Sequence, residues 1–215
     1  MSKKLLSGLA ALVTAIAGMG IVRADTGTTA TFTSSITYSN TGTGTASVLM
    51  NFYNQASGTA IPITQDPLAA GASRSLFLGS TTLAAGFNGS AVISSDQPIA
   101  ATAVQIATNA GTIVKNRPVS TGFAQGSSQV LIATTLKDRF GATTRFNVQN
   151  AHSSAVDLTI KFFDASNSGA LQHTINVANL PVGAAKTFDL GTIAEIPSNF
   201  NGSATAEAIQ TGTST

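Results

Sequence analysis

Cysteine and tryptophan are absent from this sequence of 215 residues, and histidine and tyrosine each occur only twice. Without cysteine no disulfide can form, so the apolar cores alone must stabilise the fold. His152 and His173 by themselves fall short of the ligands that a zinc site requires. The sequence therefore argues against a disulfide-stapled fold and predicts no metal site and no cofactor.

The first 24 residues have the pattern of a secretory signal. Lys3 and Lys4 precede a mostly apolar stretch, Leu5–Val22, and Val22-Arg23-Ala24 places small residues at −3 and −1 of a cleavage site. An uncleaved membrane anchor is the alternative, because about 18 mostly apolar residues can span a bilayer. The glycines and the cleavage-like site favour removal, which predicts a protein that is secreted or held at the cell surface.

Charged residues make up only 9% of the chain, and the formal net charge is +2. Lys3, Lys4 and Arg23 belong to the expected signal, so eight basic residues face nine acidic ones once it is removed. Such a balance gives no support for nucleic-acid binding or for attraction to anionic membranes. Disordered chains are usually highly charged, so this composition favours folded β-structure.

A short phrase occurs twice, as Phe87–Ala91 and as Phe200–Ala204. Longer stretches match around it: Ser47–Tyr53 corresponds to Asp157–Phe163, with apolar and polar residues alternating in both. A period of two predicts strands with Val48, Met50, Phe52, Leu158, Ile160 and Phe162 on the inward face. The sequence thus predicts an all-β chain of two tandem modules, residues 25–108 and 129–215, joined by a linker over 109–128.

Other segments match in the same order along the two copies. Ile36–Asn40 corresponds to Phe146–Asn150, and Leu76 and Leu78 correspond to Phe188 and Leu190. These four residues are the expected core positions of a short strand, with Phe77 and Asp189 facing outward. Agreement between the copies strengthens each strand prediction.

The repeated phrase itself predicts a folding role. Phe87 and Phe200 are expected to anchor the core, while Asn88-Gly89 and Asn201-Gly202 are expected to form tight turns, since both residue types tolerate positive φ. The same residues match the N-glycosylation pattern, which a turn makes unnecessary. In the first copy, Ala91–Ile93 and Ile99–Ile106 are predicted to form a closing hairpin.

The second copy ends before that return strand, because only 12 residues follow Ser203. Three explanations compete: the chain is a fragment of a longer protein, the edge is frayed, or another subunit fills it. A bare edge strand is an aggregation liability, and strand addition would complete the sandwich and build a filament. The fragment explanation comes first and strand exchange second.

The pattern resembles a known group of modules. Asn40–Ala46, Asn51–Tyr53 and Leu68–Ser73 are similar to the immunoglobulin-like repeats of bacterial cell-surface proteins, with the adhesion-related CARDB-type modules as the nearest group. Phe146–Asn150 and Phe87–Ala100 are similar to repeats in other exported bacterial proteins. The resemblance rests on turn and core residues; it implies two immunoglobulin-like antiparallel β-sandwiches with a surface role, and it transfers no site residue.

No arrangement of residues indicates catalysis. The carboxylates are sparse and fall mostly at expected turns or strand ends, where local hydrogen bonds explain them. Calcium at Asp164–Asn167 is a weak possibility, because that loop lacks the acidic ligands that calcium sites favour. Gly42-Thr43-Gly44 lacks the third glycine and the helix of a nucleotide-binding loop. We therefore expect no enzyme.

The expected function is that of an exported structural or adhesive module, with an unknown surface ligand or neighbouring module as partner and with self-association through the open edge of the second module. The alternative is a carbohydrate-binding accessory module of a secreted enzyme. Sugar sites usually present aromatic rings, and Tyr53, Phe77 and Phe163 are the candidate ligand-facing aromatics, although core packing or contacts between modules also explain them.

Overall fold

A computed structural model describes residues 18–19, 32–55, 57–107 and 119–212 of the chain. This part is all-β, with several antiparallel sheets and no α-helix. It includes no helix long and apolar enough to cross a membrane. Most of the expected signal lies outside the described residues.

The strands are numbered in chain order. They are β1 (Gly18–Met19), β2 (Phe32–Asn40), β3 (Val48–Asn54), β4 (Ala60–Thr64), β5 (Ser73–Phe77), β6 (Gly89–Ser95), β7 (Ile99–Ala107), β8 (Val119–Thr121), β9 (Gln129–Lys137), β10 (Thr144–Gln149), β11 (Val156–Asp164), β12 (Ala170–Leu180), β13 (Ala185–Asp189) and β14 (Phe200–Gln210). Three single turns of 3-10 helix lie at Leu78–Ser80, Ala165–Asn167 and Leu190–Thr192.

In the described part of the chain, four sheets form two pairs. In the N-terminal sheet pair, one sheet has the order β5-β2-β7-β8 and the other β4-β3-β6. In the C-terminal sheet pair, one sheet has the order β12-β11-β14-β9 and the other β1-β10-β13. All the strand pairings are antiparallel. Each pair encloses one cluster of buried apolar side chains drawn from both of its sheets.

The inward faces predicted from the alternation are confirmed. The predicted inward residues of β3 and β11 are all buried, at 0–3% exposure: Val48, Met50, Phe52, Leu158, Ile160 and Phe162. Phe188 and Leu190 are buried, whereas Leu76 and Leu78 are half-buried against the N-terminal core. Phe77 faces outward as expected. Burial of each such apolar side chain stabilises the folded state by about 1.5–3 kcal/mol.

Asn40 and Asn150 hold equivalent loops in place through the same set of hydrogen bonds. The Asn150 Nδ2 donates to Ser154 O and Leu180 O, both at 2.9 Å, and its Oδ1 accepts from His152 N at 2.8 Å. Asn40 makes the corresponding three bonds, at 2.7–2.9 Å, in the N-terminal sheet pair. Both residues are buried. Sequence analysis aligned these asparagines without assigning them a role; their recurrence was the available signal.

The tight turns predicted at Asn88-Gly89 and Asn201-Gly202 are wrong. Gly89 begins β6, and both Asn201 and Gly202 lie within β14. Positive φ occurs earlier, at Gly86 and Asn199. A Cβ on Gly202 would lie 2.0 Å from the Phe163 carbonyl oxygen, and one on Gly89 would lie 1.9 Å from that of Tyr53. Glycine is therefore required for close backbone approach and not for a turn.

The core positions predicted for the two phenylalanines of this phrase hold. Phe200 is buried in the C-terminal core. Phe87 is half-buried, and its ring packs edge-on against Phe52 with the centroids 6.1 Å apart. Both rings close one end of a core.

The closing hairpin predicted for β6 and β7 is also wrong. β6 pairs with β3, whereas β7 crosses to the other sheet and pairs with β2 along its whole length. The connection is tied to the loop after β2: the Asp96 carboxylate accepts from Ser47 N at 2.7 Å, and Thr41 N donates to Pro98 O at 2.9 Å. These contacts carry the chain across the core into the opposite sheet.

Part of the expected linker is strand. β8 pairs with β7, opposite Thr102, Ala103 and Val104, and so belongs to the N-terminal sheet pair. Residues 108–118 of that linker lie outside the described residues. The segment that enters β9 begins after Thr121.

Candidate functional site

Among the described residues, the strand β10 is fully paired on one side only. One side of β10 pairs with β13 from Arg145 to Gln149. Its other side, in the described part of the chain, pairs only with β1, where Gly18 lies opposite Arg145 and Met19 opposite Thr144. The rest of that side has no strand beside it within the described ranges.

The backbone hydrogen bonds of Asn150 show in which direction the N–H and C=O groups of β10 point. Asn150 N donates to Ala184 O, and Asn150 O accepts from Gly183 N, so the polar groups of this residue point toward β13. Successive residues of a strand alternate in direction. The N–H and C=O groups of Asn147 and Gln149 therefore point to the open side, where they can pair with an added strand.

A cleft of about 800 Å³ lies beside this edge. We call it the β10 groove; the backbone of β10 forms one wall, and residues 123–132, which include the start of β9, form the other. Its floor is apolar and includes Leu158, Leu180 and Ala206. The floor residues are core residues, so the groove opens directly onto the C-terminal core.

The exposure of the Val130 side chain is evidence that this side of the groove is uncovered in the described part of the chain. It lies opposite Ala206 on β14, and directly opposed residues point to the same face of a sheet. Ala206 is 4% exposed and faces the core, yet Val130 is 41% exposed. An inward-facing valine with that exposure indicates that a covering element is missing from this side among the described residues.

In the N-terminal sheet pair, the strand β7 occupies the position that corresponds to the β10 groove. β2, the counterpart of β10, is paired on both sides, with β5 and with β7. Tyr38 on β2 is fully buried beneath β7, whereas its counterpart Val148 is only half-buried. β7 thus occupies the place that the β10 groove leaves open.

A smaller opening lies in the N-terminal sheet pair. In the described residues β6 pairs only with β3, and a cleft of about 380 Å³ runs between β6 and β7. The counterpart of β6 is β14, which is paired on that side by β9. Each sheet pair therefore has an open edge at the position that is occupied in the other.

The expected open edge thus lies on a different strand. A hairpin ending would leave β14 exposed, but β9 covers β14 and the open strand is β10, in the opposite sheet. Sequence reasoning missed the groove residues Val130 and Val148 because their exposure depends on which strand is absent, and no local pattern carries that information.

The three candidate ligand-facing aromatics are not brought together. Tyr53, Phe77 and Phe163 lie on β3, β5 and β11, which belong to three different sheets. Tyr53 lies against the C-terminal sheet pair, because a Cβ on Gly183 would be 2.5 Å from its ring. Phe77 is exposed, and Phe163 is half-buried. No shared aromatic platform results.

Glu207 and Asp164 are titratable residues whose carboxylates accept hydrogen bonds from nearby groups of the chain. Lys161 Nζ donates to Glu207 Oε2 at 2.8 Å, and this hydrogen bond holds the pKa of the Glu207 carboxyl below its ordinary value. The Oδ1 of Asp164, in the loop weakly considered for calcium, accepts from Ser166 N at 2.7 Å and caps the 3-10 turn.

The two histidines also make local contacts. His152 Nδ1 accepts from Ser154 N at 3.1 Å, and His173 Nε2 lies 3.9 Å from the Glu195 carboxylate. Among the described residues no group of three or more His, Cys, Asp or Glu side chains could hold a metal ion.

Comparison with protein-family models, with curated proteins and with solved structures finds no match.

Proposed function

We propose that this chain is an exported, non-catalytic surface protein of two tandem immunoglobulin-like sandwiches, and that it assembles by accepting a strand from a neighbouring copy into the β10 groove. The observation that carries this proposal is the edge of β10 that, beyond its pairing with β1, has no strand beside it in the described part of the chain and lies above an apolar floor. Backbone pairing along such an edge supplies affinity, and the pockets for alternate side chains supply specificity.

The two open edges support a repeating assembly over a closed dimer. The β10 groove and the opening beside β6 are different surfaces, and they lie on different sheet pairs of one chain. If the edge strand β6 of one copy enters the β10 groove of the next, the contact joins unlike surfaces and is heterologous; such contacts generate filaments when the rotation does not close. Such a filament is the form in which we propose that the chain performs its structural or adhesive role.

The test is the association state of residues 25–215, measured by sedimentation velocity over a wide concentration range. We expect concentration-dependent oligomers. Val130→Lys places a charge in the groove and should weaken association at least about tenfold, because an unpaired charge is costly to cover. Leu171→Lys is the matched control, since Leu171 is 55% exposed on β12 and does not line the groove.

A monomer at every concentration would refute the proposal, and equal loss in both variants would show that the groove is not the contact. The sugar-binding alternative predicts a different result: saturable binding to a polysaccharide that Phe77→Ala weakens while the association state is unchanged.

A further inference from the structure

We propose that the β10 groove is the docking site of the expected signal segment, residues 1–24, which we call the leader. Residues 13–17 of the leader fill the groove until residues 1–24 are removed. The structural fit does not depend on the proposed function. Its consequence for assembly, which is that the leader keeps the precursor from joining other copies, rests on the proposed function.

The first argument is the register of β1. Gly18 lies opposite Arg145 and Met19 opposite Thr144. In the N-terminal sheet pair, Val104 lies opposite Ser35, the counterpart of Arg145, and Gln105 lies next to it opposite Ser34. β1 therefore pairs with β10 at the same positions at which β7 pairs with β2. Its direction is also the same, because both pairings are antiparallel.

The register of β1 also determines which residues of the leader would lie in the groove. In an antiparallel pair, each step toward the N-terminus on one strand is a step toward the C-terminus on the other. Residues 13–17 lie outside the described residues; if the register continues past Gly18, residues 17, 15 and 13 come opposite Phe146, Val148 and Asn150. Their counterparts on β7 are Ala103, Ala101 and Ile99, which lie opposite Ile36, Tyr38 and Asn40.

The second argument is the match of side chains at those positions. β7 presents Ile99, Ala101 and Ala103 to the N-terminal core, where Ala103 is buried and the other two pack against it. The leader carries valine, alanine and alanine at the corresponding places, in Val13-Thr14-Ala15-Ile16-Ala17. In the N-terminal sheet pair, β7 thus places one large and then two small side chains, at alternate positions, between the two sheets. The leader has the same order of large and small residues.

The leader also suits the groove in chemistry. The groove floor is apolar, and residues 5–22 contain no charged side chain. The open side of β10 offers the N–H and C=O groups of Asn147 and Gln149, which an added strand satisfies without any side-chain requirement. A strand of this composition therefore covers Val130 and Val148 and leaves no charge buried.

The experiment uses the chain of residues 25–215 and a synthetic peptide of residues 10–19. The peptide should bind saturably with one site, measured by fluorescence anisotropy, and should dissociate the oligomers of the truncated chain. A peptide with Ala15→Asp should bind at least about tenfold more weakly, since its carboxylate would face the groove floor. A peptide with Ala10→Asp is the matched control, because residue 10 lies outside residues 13–17 and this register carries it beyond Gln149, the last residue of β10.

The full chain supplies the second measurement. With residues 1–24 retained it should sediment as a monomer, and Ala15→Asp in that chain should restore association whereas Ala10→Asp should not. Oligomers of the truncated chain that the peptide neither binds nor dissociates would overturn the leader proposal and leave the proposed function standing. A truncated chain that binds the peptide yet stays monomeric at every concentration would overturn the proposed function and leave the leader proposal standing.

Discussion

Replacing Asn150 with alanine tests the hydrogen-bonded loop that sets the position of β10. The substitution removes three side-chain hydrogen bonds, to Ser154 O, Leu180 O and His152 N. A net hydrogen bond contributes about 0.5–1.5 kcal/mol, and a buried group left without a partner costs about 1–3 kcal/mol. Because Asn150 is only 4% exposed, we expect a loss of about 3 kcal/mol in the free energy of unfolding.

The assay is urea unfolding of residues 25–215, followed by circular dichroism. With a slope of about 2 kcal/mol per molar urea, a loss of about 3 kcal/mol lowers the midpoint by about 1.5 M. Asn40→Ala removes the corresponding bonds in the N-terminal sheet pair and should lower the stability of that pair by a similar amount.

Asn176→Ala is the control for this pair of substitutions. Asn176 is exposed on β12, and its side chain accepts one hydrogen bond, from Thr159 Oγ1 at 3.0 Å. We expect a loss of at most about 0.5–1 kcal/mol there. If Asn150→Ala costs no more than Asn176→Ala, the reasoning about the buried amide is refuted.

Two further substitutions test single features of the fold. Gly202→Ala forces a Cβ to within 2.0 Å of the Phe163 carbonyl and should lower stability by about 1–3 kcal/mol; Gly44→Ala, with its nearest neighbour at 3.5 Å, should cost less than half as much in the same urea titration. Burial raises the pKa of Tyr38, so the unfolded phenol ionises first, near pH 10. Stability should then be intact below that pH and fall as the pH rises toward the folded-state pKa. Tyr38→Phe should flatten this fall in thermal melts from pH 8 to 11, and an unchanged slope would count against burial as its cause.

The strands and their inward faces could be predicted from the sequence because they depend on local alternation. Val48, Met50 and Phe52 repeat every second residue, and a strand of that pattern has one face that it must bury. The second copy of the pattern, at Leu158, Ile160 and Phe162, supports the same assignment independently. Both sets are buried in the structure.

Strand pairing was decided by contacts between residues far apart in the chain. The turn at Ser95–Pro98 permits either a hairpin or a crossing, and the hydrogen bonds of Asp96 to Ser47 and of Thr41 to Pro98 select the crossing. The role of the repeated glycine was likewise invisible, because the carbonyl of Phe163 that excludes a side chain at Gly202 is 39 positions away in the sequence.

The sequence by itself determined that the chain is all-β and where most of its strands lie. The tertiary structure alone decided that β10, and not β14, carries the open edge: β9 covers β14, whereas among the described residues only the two of β1 lie beside β10 where β7 lies along the whole of β2. The physical reason is that side-chain alternation fixes which face of a strand is buried, whereas its neighbours are chosen by backbone hydrogen bonds that every sequence can make.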